Sequence, residues 1–365
     1  MADITAAMVK ELREATGAGM MECKKALTET NGNFDEAVEV LKKSGAAKAV
    51  KKASRIAAEG ITCVAKDGDK VAAVVEVNSE TDFVAKNEKF QSYVKQVAEQ
   101  AVKSNAADMD AFMAEPWIAD SSKTVNDALV EMIAVIGEKL SIRRFEKVTA
   151  DNGCVVTYVH GGGRISVIVK AETANVNDAV KEAMSNIAMQ IAAMNPSYIS
   201  RSDISDAELA KIREITVDSA LNDPASLPKP ILNKLIEEAI SSKTWSDEDI
   251  AIYEEKKSNM NFLFNFLSKE ATAALAQAAL AKKDAYLADK IFTGLVDGRV
   301  SKQLKEICLL DQVYVKAEDG KQNVENYLKT VASDLKIAKF VRFETGEGLE
   351  KKNEDFAAEV AAQLG

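Results

Sequence analysis

At 365 residues, with 57 acidic and 47 basic side chains and a net charge of −10, the chain is too long for one core, and about 100–200 residues per domain predicts two or three parts. The acidic balance argues against sequence-independent binding to polyanions, which rests on Lys and Arg neutralising phosphates. Cys23, Cys63, Cys154 and Cys308 stand singly, so neither a zinc knuckle nor a redox pair is expected, and reduced thiols are.

Residues 1–13 have helical spacing and an early Asp3, unlike a signal or transit peptide. No apolar run reaches about 18 residues. The expectation is a cytoplasmic protein without a membrane span. Residues 4–44 read as three short helices: Ile4, Met8, Leu12 and Ala15 form one stripe, 21–27 and 34–41 supply the others, and Gly17-Ala18-Gly19 and Asn31-Gly32 break them. Lys48, Lys51, Lys52 and Arg55 follow among alanines. Without an interleaved aromatic for base stacking, this stretch reads as a solvated helical linker and not a nucleic-acid patch.

From residue 60 the period changes to that of strands. Residues 61–66 and 71–77 flank Asp67-Gly68 as a hairpin. A helix over 87–102, a loop around Glu115-Pro116, a helix over 125–136 and a strand over 140–148 follow. The order then recurs, with strands at 154–159 and 164–170 around a His160-Gly161-Gly162-Gly163 turn and a helix over about 176–194. Thr124-Val125-Asn126-Asp127-Ala128-Leu129 running on to Arg144-Phe145-Glu146 compares with Asn323-Val324-Glu325-Asn326-Tyr327-Leu328 running on to Arg342-Phe343-Glu344. From Val to Glu the spacing differs by a single residue. Two similar α+β halves are inferred, each a small antiparallel sheet covered by helices.

Between the parts of the second half lies a helical stretch broken by Pro224, Pro228 and Pro230 and containing Phe262-Leu263-Phe264-Asn265-Phe266-Leu267. Its apolar face is expected to pack within a helical hairpin, with self-association as the alternative. A last helix over 355–363 carries Phe356 and Val360 four apart. The predicted organisation is a helical module with basic linker at 1–54, core halves at 55–150 and at 151–204 with 289–346, a helical insertion at 205–288, and a C-terminal helical module at 347–365.

Catalytic signatures are missing. His160 is the sole histidine and begins a His-Gly-Gly-Gly string found in some esterases, but an esterase needs a G-x-S-x-G elbow and a separate histidine base, and neither occurs. The glycines read instead as a flexible hairpin tip admitting positive φ. No phosphate-binding P-loop and no dinucleotide fingerprint is present, so no nucleotide, cofactor or metal is expected to reside in the chain.

The most specific segment is Glu76-Val77-Asn78-Ser79-Glu80-Thr81-Asp82-Phe83-Val84-Ala85-Lys86-Asn87, leading from a strand into a helix. Its Phe83 reads either as a staple packed back on the helix or as a probe exposed to a partner. Together with residues 12–27 around Gly17-Ala18-Gly19-Met20-Met21, the His160 to Arg164 turn, Ala193-Met194-Asn195-Pro196 and Val341-Arg342-Phe343-Glu344-Thr345-Gly346-Glu347-Gly348, it resembles the bacterial translation elongation factor Ts family. The sequence departs from that pattern between about Asn222 and Lys283, where it is longer.

The resemblance implies an α+β fold: an N-terminal three-helix ubiquitin-associated-like (UBA-like) domain, two similar core subdomains, a coiled-coil-like helical insertion and a C-terminal helix. It implies guanine nucleotide exchange on elongation factor Tu, without covalent chemistry. Thr81, Asp82, Phe83 and Val84 would displace the ligands of the partner's Mg2+ and phosphates. Lys10, Arg13, Met20, Met21 and the helix of Phe356 would grip the partner's nucleotide domain, and His160, Gly161, Gly162 and Arg164 a second domain. No direct nucleic-acid partner is implied, and a homodimer through the insertion is an open alternative. The rival readings are a ribosome-associated adaptor using Lys48 to Arg55, and a cryptic hydrolase.

Overall fold

Helices α1 (Ala6–Thr16), α2 (Met20–Glu29) and α3 (Phe34–Lys52) open the chain. The structure, a computed structural model, describes residues 4–350, so the 355–363 helix and Phe356 lie outside the described residues. The Thr5 hydroxyl caps α1 by accepting the Met8 N–H, and Gly17 ends it at φ 68°, a left-handed position that favours glycine. Val9, Leu12, Cys23, Ala26, Leu27 and Ala37 form the small core. Ala15, expected on the buried stripe, is exposed; Val9 is buried instead, because at 3.6 residues per turn it sits beside Leu12 on the inner face. The lysines expected in a linker continue α3 to Lys52, where cations suit the negative helix end.

The first sheet has antiparallel order β1-β2-β5. Strands β1 (Glu59–Asp67) and β2 (Val71–Ser79) form the hairpin, followed by α4 (Asp82–Ala85), α5 (Glu88–Lys103), α6 (Met109–Ala114), a two-stranded ribbon of β3 (Pro116–Trp117) and β4 (Asp120–Thr124), α7 (Val125–Ile136) and β5 (Leu140–Thr149). A capping box between Thr124 and Asp127 starts α7. Helix α6 and the ribbon occupy what reads as a loop around Glu115-Pro116. Gly45 lets α3 approach α7 closely, since a Cβ there would lie 3.4 Å from that of Ala134. The second sheet, β6-β7-β8, comprises β6 (Cys154–His160), β7 (Ile165–Glu172) and β8 (Lys336–Glu344), also antiparallel. Helix α8 (Asp178–Met194) packs on it.

Strand β2 is buried along nearly its whole length because both its faces are covered. Ala73, Val75 and Val77 point into the core under α5 and α7. Ala72 and Val74 point the other way and meet Val155, Ile168, Val341 and Phe343 of the second sheet. The result is four layers: helices, sheet, sheet, helix.

Glu76 lies fully buried on the face between the sheets. A bulge in the β2/β5 pairing, where Glu76 opposes Arg144 and Val77 opposes Ile142, leaves Arg143 as the extra residue. Both guanidiniums therefore reach one carboxylate, Arg143 at 3.1 Å and Arg144 at 2.6 Å. The Gly346 N–H, at 2.8 Å, and the Asn78 amide, at 3.0 Å, complete its partners. Burial alone would raise the Glu76 pKa, but the Gly346 amide, Asn78 and Arg144 outweigh it and hold the carboxyl below its ordinary value. Arg144 also lies over the Phe343 ring at 4.1 Å, joining sheet to sheet.

The paired Arg-Phe-Glu strings do not occupy equivalent faces. Arg144 points between the sheets and Phe145 into the helix-covered core, against Phe112. In β8 it is Phe343 that points between the sheets, while Arg342 reaches the Ala192 carbonyl of α8. The spacing from Val to Glu runs through a helix and a turn, and β5 carries the Arg143 bulge just before its string, so likeness in sequence does not fix which side of the sheet each residue faces.

The remaining elements belong to a second compact unit, Pro196–Val313 with Ala317–Val324. They are α9 (Asp206–Asn222), α10 (Lys229–Ser241), α11 (Asp247–Lys256), α12 (Met260–Leu263), α13 (Lys269–Ala281), α14 (Lys283–Leu287) and α15 (Lys290–Ile307); α16 (Val324–Val331) then leads to β8. The unit is a packed helical body around residues such as Leu221, Leu235, Ile236, Leu263, Leu275 and Phe292. Helix α15 joins that core through Phe292, Val296, Val300 and Leu304, so the body extends beyond 205–288. Buried Asp249 accepts from Ser246, the cap of α11, and from Ser268, the cap of α13, tying two helix starts together. In the Phe-rich run Leu263 and Leu267 point inward while Phe262 and Phe266 are exposed.

Removing one partner of a buried ion pair leaves the other charges uncompensated, so Glu76→Ala is expected to cost about 3–5 kcal/mol in chemical unfolding. A carboxylate with a depressed folded pKa contributes stability fully present above its unfolded value of about 4.3 and lost as pH falls through the folded value. Wild-type stability should therefore drop more steeply below about pH 4.5 than that of Glu76→Gln; parallel acid profiles would contradict the clamp. At the β6–β7 turn, Gly163→Ala would bring a Cβ within 2.8 Å of the Thr62 carbonyl oxygen, whereas at Gly162 it meets open space. Both have positive φ, so Gly163→Ala should lower the melting temperature clearly more than Gly162→Ala.

Candidate functional site

Strand β2 delivers its C-terminal end directly to the segment singled out in the sequence. Within α4, Val84 turns into the core while Phe83 is 80% exposed, so Phe83 has the orientation of a probe and Val84 that of the anchor. Asn87 starts α5, its side-chain oxygen accepting the Lys89 and Phe90 N–H groups. Asp82 is exposed and bonded to Lys86 at 2.7 Å. That hydrogen bond is the main reason its pKa lies below the usual carboxylate value. The Lys86 ammonium also stands 5.9 Å from the Phe83 ring centre.

Arg13 and the Gly17-Ala18-Gly19 break line one open cleft of about 450 Å3 together with Phe83, Lys89 and Val135. The adjacent Met20 and Met21 are 56% and 75% exposed. These side chains lie in the first turn of α2, just after its N-cap Gly19, and stay outside the module's core, which takes Cys23, Ala26 and Leu27 from this helix. Lys10 is exposed and pairs with Glu14 at 3.8 Å, a surface contact of small energetic consequence. Exposed apolar side chains beside an exposed cation and a Phe suit a protein partner better than a small molecule.

The His160 turn belongs to the second sheet and does not line that cleft. His160, Gly161, Gly162 and Arg164 are exposed, and the Tyr158 hydroxyl lies 3.1 Å from His160 Nδ1. Gly163 differs from the expected flexible tip: it is buried, and its carbonyl accepts from the Thr62 N–H and hydroxyl of β1. One end of the turn is thus pinned, leaving Gly161 and Gly162 as the open part.

Sequence inspection missed what holds the Phe83 segment. Glu138, in the turn between α7 and β5, accepts both the Thr81 N–H at 3.0 Å and the Thr81 hydroxyl at 2.8 Å. In return, Glu80 accepts the Lys139 N–H and pairs with Arg55. No motif marks these residues; only the antiparallel return of β5 beside β2 brings them together. The basic stretch is likewise engaged: Lys48 pairs with Glu22, and Lys52 donates to the Gly137 carbonyl. Among the described residues no group of His, Cys, Asp or Glu is placed to hold a metal ion, and no helix is long and apolar enough to cross a membrane.

The family model described as elongation factor TS matches residues 80–256 and 257–347. The elongation factor Ts of Clostridium tetani is 40% identical over 367 residues, covering 99% of this chain and 99% of that protein. That of Clostridium novyi is 41% identical over 364 residues, with 99% of each covered, and that of Clostridioides difficile 41% over 367 residues, with 100% of each covered. With similarity running from end to end, the chain belongs to the elongation factor Ts family, the nucleotide exchange factors of translation elongation, which carry out no covalent reaction.

Proposed function

We propose that this protein binds elongation factor Tu·GDP and speeds GDP release by pushing Phe83 and Asp82 against the surroundings of the partner's Mg2+ and phosphates, so that GTP can rebind. The observation that carries the reading is Phe83, 80% exposed on a turn anchored by buried Val84. An exchange factor must hold the nucleotide-free partner more tightly than the nucleotide-bound one, because only differential affinity shifts an equilibrium. A thousandfold faster release needs about 4 kcal/mol of barrier lowering. Burying one Phe side chain supplies about 1.5–3 kcal/mol, and a contact from Asp82 adds to it. The partner's ion is held by a hydroxyl and a carboxylate in P-loop proteins, so displacing those ligands loosens the phosphates.

In this reading Lys10, Arg13, Met20, Met21 and Phe356 grip the nucleotide domain, and the His160 to Arg164 turn meets a second domain, giving the wedge something to push from. The N-terminal helices act as a UBA-like module, the two sheets as a duplicated core, and the helical body as the insertion. The internal use of Lys48, Lys52 and Arg55 favours a protein partner over direct nucleic-acid binding. Exposed Phe262 and Phe266 favour self-association through the helical body as a second role of that unit.

Phe83→Ala should slow stimulated GDP release about 10- to 100-fold without changing thermal unfolding, since the ring is exposed. Release of labelled GDP from elongation factor Tu at the wild-type rate would sink the wedge mechanism. Met20→Ala with Met21→Ala should raise the half-saturating concentration and leave the maximal release rate within about twofold, because gripping acts on binding. Removing residues 1–54 is a poorer test, since α3 packs on α7 through Gly45 and its loss would uncover the core.

A further inference from the structure

Thr81 stands at the N-cap of α4 yet makes no side-chain cap to it. Its polar groups are all drawn elsewhere: N–H and hydroxyl to the Glu138 carboxylate, and the carbonyl to the Ser79 hydroxyl at 3.0 Å. The base of the turn is therefore held at three atoms, two of them by Glu138 of the α7–β5 turn and one by Ser79 of β2, while the Phe83 ring two residues on stays 80% exposed. The same α7–β5 turn holds the end of the N-terminal module, with Lys52 donating to the Gly137 carbonyl and Lys139 Nζ donating to the Arg55 carbonyl at 2.6 Å. Glu80 closes the ring by accepting from both the Lys139 N–H and Arg55.

We infer that Glu138 is a positioning residue for nucleotide exchange: by holding Thr81 it sets the direction in which Phe83 leaves the body, in a fixed relation to the gripping module. This rests on the wedge reading above and names the part of the chain that pre-orients the wedge. A wedge that must be ordered on contact spends binding free energy on that ordering, whereas a pre-oriented one applies it to the partner. Glu138 makes the maximal rate, and not the encounter, depend on a side chain outside the contact segment.

The test compares Glu138→Ala, Glu138→Gln, Thr81→Val and Phe83→Ala in labelled-GDP release from elongation factor Tu across factor concentrations, with amide hydrogen exchange at Thr81. Glu138→Ala should lower the maximal rate about tenfold, keep the half-saturating concentration within about twofold, and unprotect the Thr81 amide. Glu138→Gln, which retains one acceptor oxygen, should fall between. Thr81→Val keeps the carboxylate and loses one of its two donors, so it carries the test should Glu138→Ala unfold, and the double variant should be no slower than Glu138→Ala alone. Slow release with Phe83→Ala beside wild-type release with Glu138→Ala and Thr81→Val would overturn the positioning role and leave the wedge standing. Wild-type release with Phe83→Ala would overturn both. A loss confined to the half-saturating concentration would assign Glu138 to gripping instead.

Discussion

A carboxylate buried between two sheets is costly to hold unless every oxygen lone pair facing the interior has a donor. Glu76 meets that condition with two guanidiniums, one backbone amide and one side-chain amide. Two of these come from β5 because of a bulge, and a third from Gly346, just past the end of β8. A shift of either sheet by one residue would leave charges unpaired in a low-dielectric layer. The clamp therefore specifies the register of β2 against β5 and the placement of the second sheet together, where apolar packing alone would tolerate slippage.

Much of the candidate site hangs from that arrangement. Strand β2 runs from the clamp into Glu80 and Thr81 within five residues, so the wedge begins at the end of a strand buried along nearly its whole length. On one side Val84 enters the core beneath α5; on the other the α7–β5 turn supplies Glu138. Exposed Phe83, Met20 and Met21 are a liability for a protein that acts alone and an asset for one that works by docking. The support of Phe83 combines buried Val84 with the Glu138–Thr81 hydrogen bonds, which lets the tip be apolar without melting into the body.

Elements whose signals are local were legible. The β1–β2 hairpin at Asp67-Gly68 and the breaks at Gly17 and Gly32 follow from turn chemistry contained in a few residues. Boundaries and facing were less legible. Helix α3 ran on because alanines and lysines propagate a helix that already has a tertiary partner in α7. The Arg-Phe-Glu repeat looked equivalent in sequence but changes face, since alternation along a strand fixes only relative facing and the pairing with the neighbouring strand sets the side. Helix α6 and the short β3–β4 ribbon carry too few residues for periodicity to declare itself.

The sequence by itself determined the class of the molecule and its family: mixed α+β layers from the change of hydrophobic period, an acidic chain lacking nucleotide-binding or catalytic motifs, and a Thr-Asp-Phe-Val segment between strand and helix. Those properties are written in runs of neighbouring residues. Whether Phe83 turned inward or outward, why Glu76 could be buried, how Gly163 was pinned by β1 and what Glu138 held were decided only by tertiary structure. In each case the deciding contact joins residues far apart in the chain, and its free energy depends on burial and geometry that no local pattern encodes.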